Sequence, residues 1–231
     1  MRTIEHVVSR HHPAFVVPAL HLGLGRDDKV YLVLGGRQDG QALRLASDGS
    51  AQWFGRVGYA ALAITATADG VIATAETHFP HRIDFWDREF NPLGSIDDFT
   101  ANDTDGYYAP SAVEATPSGW FYAIDQHRRQ VVRLKPGAVD KRITLTGLDP
   151  DATSKKGPVG LRVAEGLGLL YTAWPTTAGA GLVSVAKLDG EQVRSIPVCG
   201  RRASPSAATT WTTTAGSMSP PGGRRNRNGG R

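Results

Sequence analysis

Apolar and polar positions alternate with a period of two through most of the first 200 residues, in short runs broken by Gly, Asp, Ser and Pro. The clearest stretch, residues 110–135 (PSAVEATPSGWFYAIDQHRRQVVRLK), predicts a short strand, a Ser-Gly turn and a second strand of aromatic and β-branched residues that closes on Asp125. A polar loop and a third strand follow. Residues 61–87 repeat the layout, with Asp69 and Gly70 as the turn and Glu76 in the place of Asp125. Fainter copies occupy 19–48 and 160–189. Copies starting at 19, 61, 111 and 160 recur every 42 to 50 residues or so, which is the spacing of β-propeller blades.

The pattern predicts four strands per copy. They fall at 20–24, 30–34, 42–45 and 52–56 in the first, and at 62–65, 71–75, 82–86 and 93–96 in the second. The third has 112–115, 120–124, 130–134 and 142–145, and the fourth 161–164, 169–173, 182–186 and 192–196. Small residues in the second strands (Ala73, Ala75, Ala123, Ala173) suit close packing of one blade on the next. The expected fold is all-β: a propeller of about four intact four-stranded blades over 19–60, 61–110, 111–159 and 160–200, a partial ring with a lead-in over 1–18.

Residues 201–231 break the pattern. They hold six arginines and no acid, so the net charge of +4 leaves the first 200 residues at −2. The basicity is that of a disordered, low-complexity tail, and no nucleic-acid partner is expected of the blades. Written in GC-rich codons and shifted by two bases, residues 208–220 read Asp-Asp-Val-Asp-Asp-Asp-Gly-Arg-Leu-Tyr-Val-Ala. That is a blade's turn and second strand, falling on the period, so the tail reads as out of frame. A single cysteine, Cys199, leaves no internal disulfide. No run approaches the ~20 apolar residues of a membrane span. The N-terminal MRTIEHVVSRHHP lacks the apolar block of a signal peptide, so a cytoplasmic location is expected.

The segment Ser118-Gly119-Trp120-Phe121-Tyr122-Ala123-Ile124-Asp125, with His127 and Arg128 after it, resembles a blade of the NHL-repeat class and its six-bladed relatives. Asp69-Gly70-Val71-Ile72, with His81-Arg82-Ile83-Asp84-Phe85, is similar to it as well. The resemblance covers about residues 19–197. It departs in the first and fourth copies, where Gly35 and Trp174 or Pro175 replace the acid. It implies a ring of six blades, of which four copies are a fragment. It also implies either a binding module or an enzyme, because some six-bladed relatives are metal-dependent lactonases or lyases.

In such blades the loops between second and third strands open on the same face as the connections between blades. That face would gather Glu76, His78, His81, Asp125, His127 and Arg128, together with Asp97, Asp98, Asp103, Asp105, Tyr107, Tyr108, Lys155 and Lys156. Carboxylates and imidazoles together can hold a divalent cation, calcium or zinc, but no ligand spacing stands out. The stronger reading is structural: Asp125 pairs with Arg128 or Arg129 and Glu76 with Arg82, exposed pins worth about 0–1 kcal/mol each that set loop shape. His11 and His12, ahead of the first blade, read as solvated loop residues, His21 opens that blade, and 95–108 reads as a long acidic connection between blades. The expected function is non-catalytic binding of a protein or small molecule at the loop-rich face. The alternative is a remnant of a metal-dependent propeller hydrolase or lyase.

Overall fold

Each repeat closes on itself before it meets its neighbour, because its four short strands pair in chain order as one antiparallel meander. The computed structural model describes residues 19–34, 40–58, 61–77, 81–99, 109–146, 157–175 and 181–198. Blade 1 contains β1 (Ala19–Leu24), β2 (Val30–Leu34), β3 (Gln41–Leu45) and β4 (Ala51–Arg56). Blade 2 contains β5 (Ala61–Ala66), β6 (Ile72–Glu76), β7 (Arg82–Trp86) and β8 (Pro92–Ile96). Blade 3 contains β9 (Val113–Ala115), β10 (Phe121–Asp125), β11 (Gln130–Lys135) and β12 (Ala138–Thr144). Blade 4 contains β13 (Gly160–Ala164), β14 (Leu169–Pro175), β15 (Gly181–Lys187) and β16 (Gln192–Val198). Strand order within every sheet follows chain order.

Strand ends fall within two residues of the sequence expectation except at one, and one turn takes a form of its own. Strand β12 begins at Ala138 and not at 142, because Gly137 (φ 79°) lets a two-residue turn reverse the chain at once. A bulge opposite Arg133 and Leu134 then absorbs the extra residue. In blade 4 the first turn is a 3-10 turn, Glu165–Leu167, closed by left-handed Gly168.

The second strands β6 and β10 are buried at every residue, since each lies in a sheet covered on both faces. Alternate residues then serve alternate neighbours. Ile72 joins Tyr31, Val33 and Ile64 between blades 1 and 2. Ala73 and Ala75 join Phe85, Phe121, Ala123 and Leu134 between blades 2 and 3. There Phe85 and Phe121 meet edge to face, with ring centroids 5.4 Å apart. Tyr122, Val131 and Ile143 pack on Leu170, Trp174 and Leu182 between blades 3 and 4. The outer strands are the exposed ones, as the pattern of β8 shows. The lead-in over 1–18 and the segment over 201–231 lie outside the described residues, as does the expected out-of-frame tail. No helix among the described residues is long and apolar enough to cross a membrane.

Candidate functional site

Strand β10 faces blade 2 with Phe121, Ala123 and Asp125, so its closing acid ends at the seam between the two blades. The Asp125 carboxylate is fully buried. It accepts the Arg128 backbone N–H (3.1 Å) and the Arg128 guanidinium (3.2 Å). Arg142 of β12 approaches the same oxygen at 3.8 Å. Both arginines also reach Asp98 at the end of blade 2: Arg128 donates to its carbonyl at 3.1 Å, and Arg142 bonds its carboxylate. The Asp125–Arg128 pairing expected from the sequence is therefore present, but as part of a four-residue network centred on a buried carboxylate and not as an exposed pin.

The second pin takes another form. Strand register places Arg82 directly opposite Glu76. Arg82 instead pairs with Asp84, two residues along its own strand, at 2.8 Å. The Glu76 carboxylate is buried and faces Gly58, where an added Cβ would lie 2.1 Å from Oε1. The physical reason is position: Asp84 shares a strand face with Arg82, and the backbone at Gly58 leaves room for the glutamate. His81, the last residue of its loop, takes a left-handed backbone (φ 54°), as Arg129 does at the same place in blade 3 (φ 53°). Its Nδ1 lies 2.8 Å from the Thr77 carbonyl and 3.2 Å from that of Ala109, so Nδ1 carries the proton and donates. His127 is exposed.

The described loop-face candidates do not fit a cation. Asp125 already faces two guanidinium groups, and His81 Nδ1 faces two carbonyls. Among the described residues no three of His, Cys, Asp and Glu form a metal-holding group. His78, Asp103, Asp105, Tyr107, Tyr108, Lys155 and Lys156 lie outside the described residues.

Sequence reasoning missed a second polar cluster, at the centre of the blades. Innermost strands are edge strands, and their outward N–H groups need partners. A side chain from one inner strand supplies an acceptor to the next. His21 Nδ1 accepts from Ile64 N–H (3.4 Å), Thr65 Oγ1 from Ala115 N–H (3.2 Å), and Glu114 Oε2 from Val163 N–H (2.8 Å). His21 lies in β1, the strand expected to open the first blade. Glu114 Oε1 meets Arg162 of β13 at 3.0 Å and Arg26, which follows β1, at 3.4 Å. Arg26 Nε also donates to the Ala115 carbonyl at 3.0 Å. These groups line a cavity of about 410 Å³ between the inner strands of all four blades. The available signal was Glu114, a lone charge in an otherwise apolar strand (Val113–Ala115).

Burial sets the electrostatics of these carboxyls. Desolvation pushes Asp84, Glu114 and Asp125 above their ordinary range, against the pull of Arg82, of Arg162 and Arg26, and of Arg128 and Arg142. Burial pushes His21 down. A carboxyl raised in the fold binds its proton more tightly there than in the unfolded chain. Its contribution to stability therefore falls as pH rises above the ordinary value of 3.8 and through the folded value. For Asp84, replacement by asparagine is expected to be more favourable, relative to the wild type, at pH 7 than at about pH 3, below the ordinary carboxyl value. Thermal melts of both proteins at the two pH values check this, and the reverse trend refutes it.

No family model matches the chain, and no curated protein matches it by sequence. Solved structures do match. A selenomethionine-substituted virginiamycin B lyase from Staphylococcus aureus superposes with a TM-score of 0.56 at 14% identity, over 79% of this chain and 56% of that one. Myxococcus xanthus glutaminyl cyclase gives 0.51 at 11% identity, over 79% and 71%. The β-propeller domain of Cps50 (Swd1) from Myceliophteria thermophila gives 0.54 at 14%, over 78% and 56%. At these identities the likeness shows the β-propeller fold alone. The chain spans little more than half the length of the virginiamycin B lyase that it matches.

Proposed function

We propose that the chain is a non-catalytic binding propeller of NHL-like type that offers its loop-rich face to a protein or small-molecule partner. The observation that carries this reading is the use made of Asp125. Its carboxylate holds the 126–129 loop through Arg128 while His127 stays exposed at the tip. A loop already fixed in shape loses little conformational freedom on binding, so its exposed side chains can contribute to affinity. A photo-crosslinking residue at position 127 is expected to capture a partner that the same residue at 135, on the opposite hairpin end, does not. Identical capture from both positions would refute the reading.

A second reading, a propeller hydrolase or lyase of lactonase-like type, draws support from Glu114. A buried carboxyl raised above its ordinary range, beside a cavity, has the property of a general acid. Lyase and cyclase propellers among the structural neighbours agree with it. Calorimetric titration of the full chain with calcium and with zinc separates the two readings, because saturable binding of either ion favours the metal-dependent enzyme.

A further inference from the structure

The lining of the central cavity includes three side-chain donors, Arg26, Arg162 and His21. Glu114 is the acid in its wall, and both its oxygens are engaged: Oε2 by Val163 N–H, Oε1 by Arg26 and Arg162. Around Glu114, two guanidinium groups thus face one carboxylate. Arg162 meets Glu114 through Nη1 at 3.0 Å and keeps 68% of its side chain exposed, so part of its planar fork faces the open cavity. His21 adds a third donor: with Nδ1 accepting from Ile64 N–H, the neutral ring carries its proton on Nε2. Apolar wall is supplied by Leu24, Val113 and Leu161. The other acid of the lining, Asp28, belongs to the β1–β2 turn at one end.

We propose that this cavity is a binding site for a small organic carboxylate, with the Arg162 fork taking the carboxylate, His21 and Arg26 flanking it, and Glu114 acting as the positioning residue that holds both arginines. The volume, about 410 Å³, is that of a small-molecule site, and an apolar body with one anionic group matches the lining. The site is separate from the loop face, so it stands or falls independently of partner binding there.

The test is titration of the full chain with benzoate, followed by amide NMR and calorimetry, with neutral benzamide as the isosteric control. Saturable benzoate binding is expected at a Kd of about 1 mM, the range open to a single charged anchor. Shifts should fall on Val113, Leu161 and Arg162. Arg162→Ala is expected to weaken benzoate about tenfold or more, since a hydrogen-bonded charge pair is lost. Arg162→Lys should recover only part, lacking the fork. Lys187→Ala, which removes an exposed surface pair with Glu191, should bind as the wild type does. No saturable shift, an affinity indifferent to Arg162→Ala, or benzamide binding as tightly as benzoate would each overturn the proposal. Arg162 is largely exposed, so its replacement leaves the fold in place, and unchanged amide dispersion in both Arg162 variants checks this.

Discussion

Replacing Gly23 with valine is expected to destabilise the protein by about 3 kcal/mol, the upper part of the range for overpacking a filled interior. Gly23 lies in β1, and an added Cβ would stand 1.9 Å from the Ile64 carbonyl oxygen and 2.9 Å from its carbon. Both obstacles are backbone of the neighbouring inner strand, so no side chain can swing aside to make room. Relief requires β1 and β5 to part, and that would stretch the His21–Ile64 hydrogen bond and loosen the cluster around Tyr31, Val33 and Ile72. Gly166→Ala is the matched control. Nothing lies within 4 Å of a Cβ there, so its effect should stay within about 0.5 kcal/mol. Urea denaturation reads both, and the Gly23 midpoint should fall by about 1 M. A Gly23 variant as stable as the Gly166 variant would mean that the inner strands do not converge as described.

The strands were legible because each blade is written locally. Second strands such as β10 carry aromatic and β-branched residues between turn signals, and sheet order follows chain order, so no long-range pairing had to be guessed. The residues that missed are those whose partners lie in other blades. Arg26 and Glu114 are 88 positions apart, and neither belongs to a motif. Their meeting depends on how four inner strands converge, which no repeat contains by itself. Glu76 shows the same limit in reverse. The expected ion pair with Arg82 is replaced by Arg82–Asp84 although the register sets Glu76 and Arg82 opposite each other, because the choice between the two acids rests on packing against Gly58 of the preceding blade. The fourth strand of blade 3 was expected only from 142, although the two-residue turn at 136–137 leaves the chain nowhere to go but back along β11 from Ala138.

The pin at Asp125 should prove stronger than an exposed pair, and by an amount that its burial sets. Removing one member of a fully buried ion pair costs about 3–5 kcal/mol when the partner is left uncompensated. Here Arg128 and Arg142 keep 35% and 26% of their side chains exposed, and both also bond Asp98, so much of that penalty is relieved. Asp125→Ala is therefore expected to cost about 2 kcal/mol, with the orphaned Arg128 N–H as the main residual loss. Asp125→Asn keeps an acceptor for that N–H and removes a buried charge, so about 1 kcal/mol is expected. Asp140→Ala, which breaks the half-exposed Arg133–Asp140 pair, should cost about 0–1 kcal/mol. Hydrogen exchange adds a local reading: the Arg128 amide should lose protection in Asp125→Ala and keep most of it in Asp125→Asn. If Asp125→Ala is no worse than Asp140→Ala and the Arg128 amide stays protected, the carboxylate does not hold the loop, and the case for a preformed binding surface there fails with it.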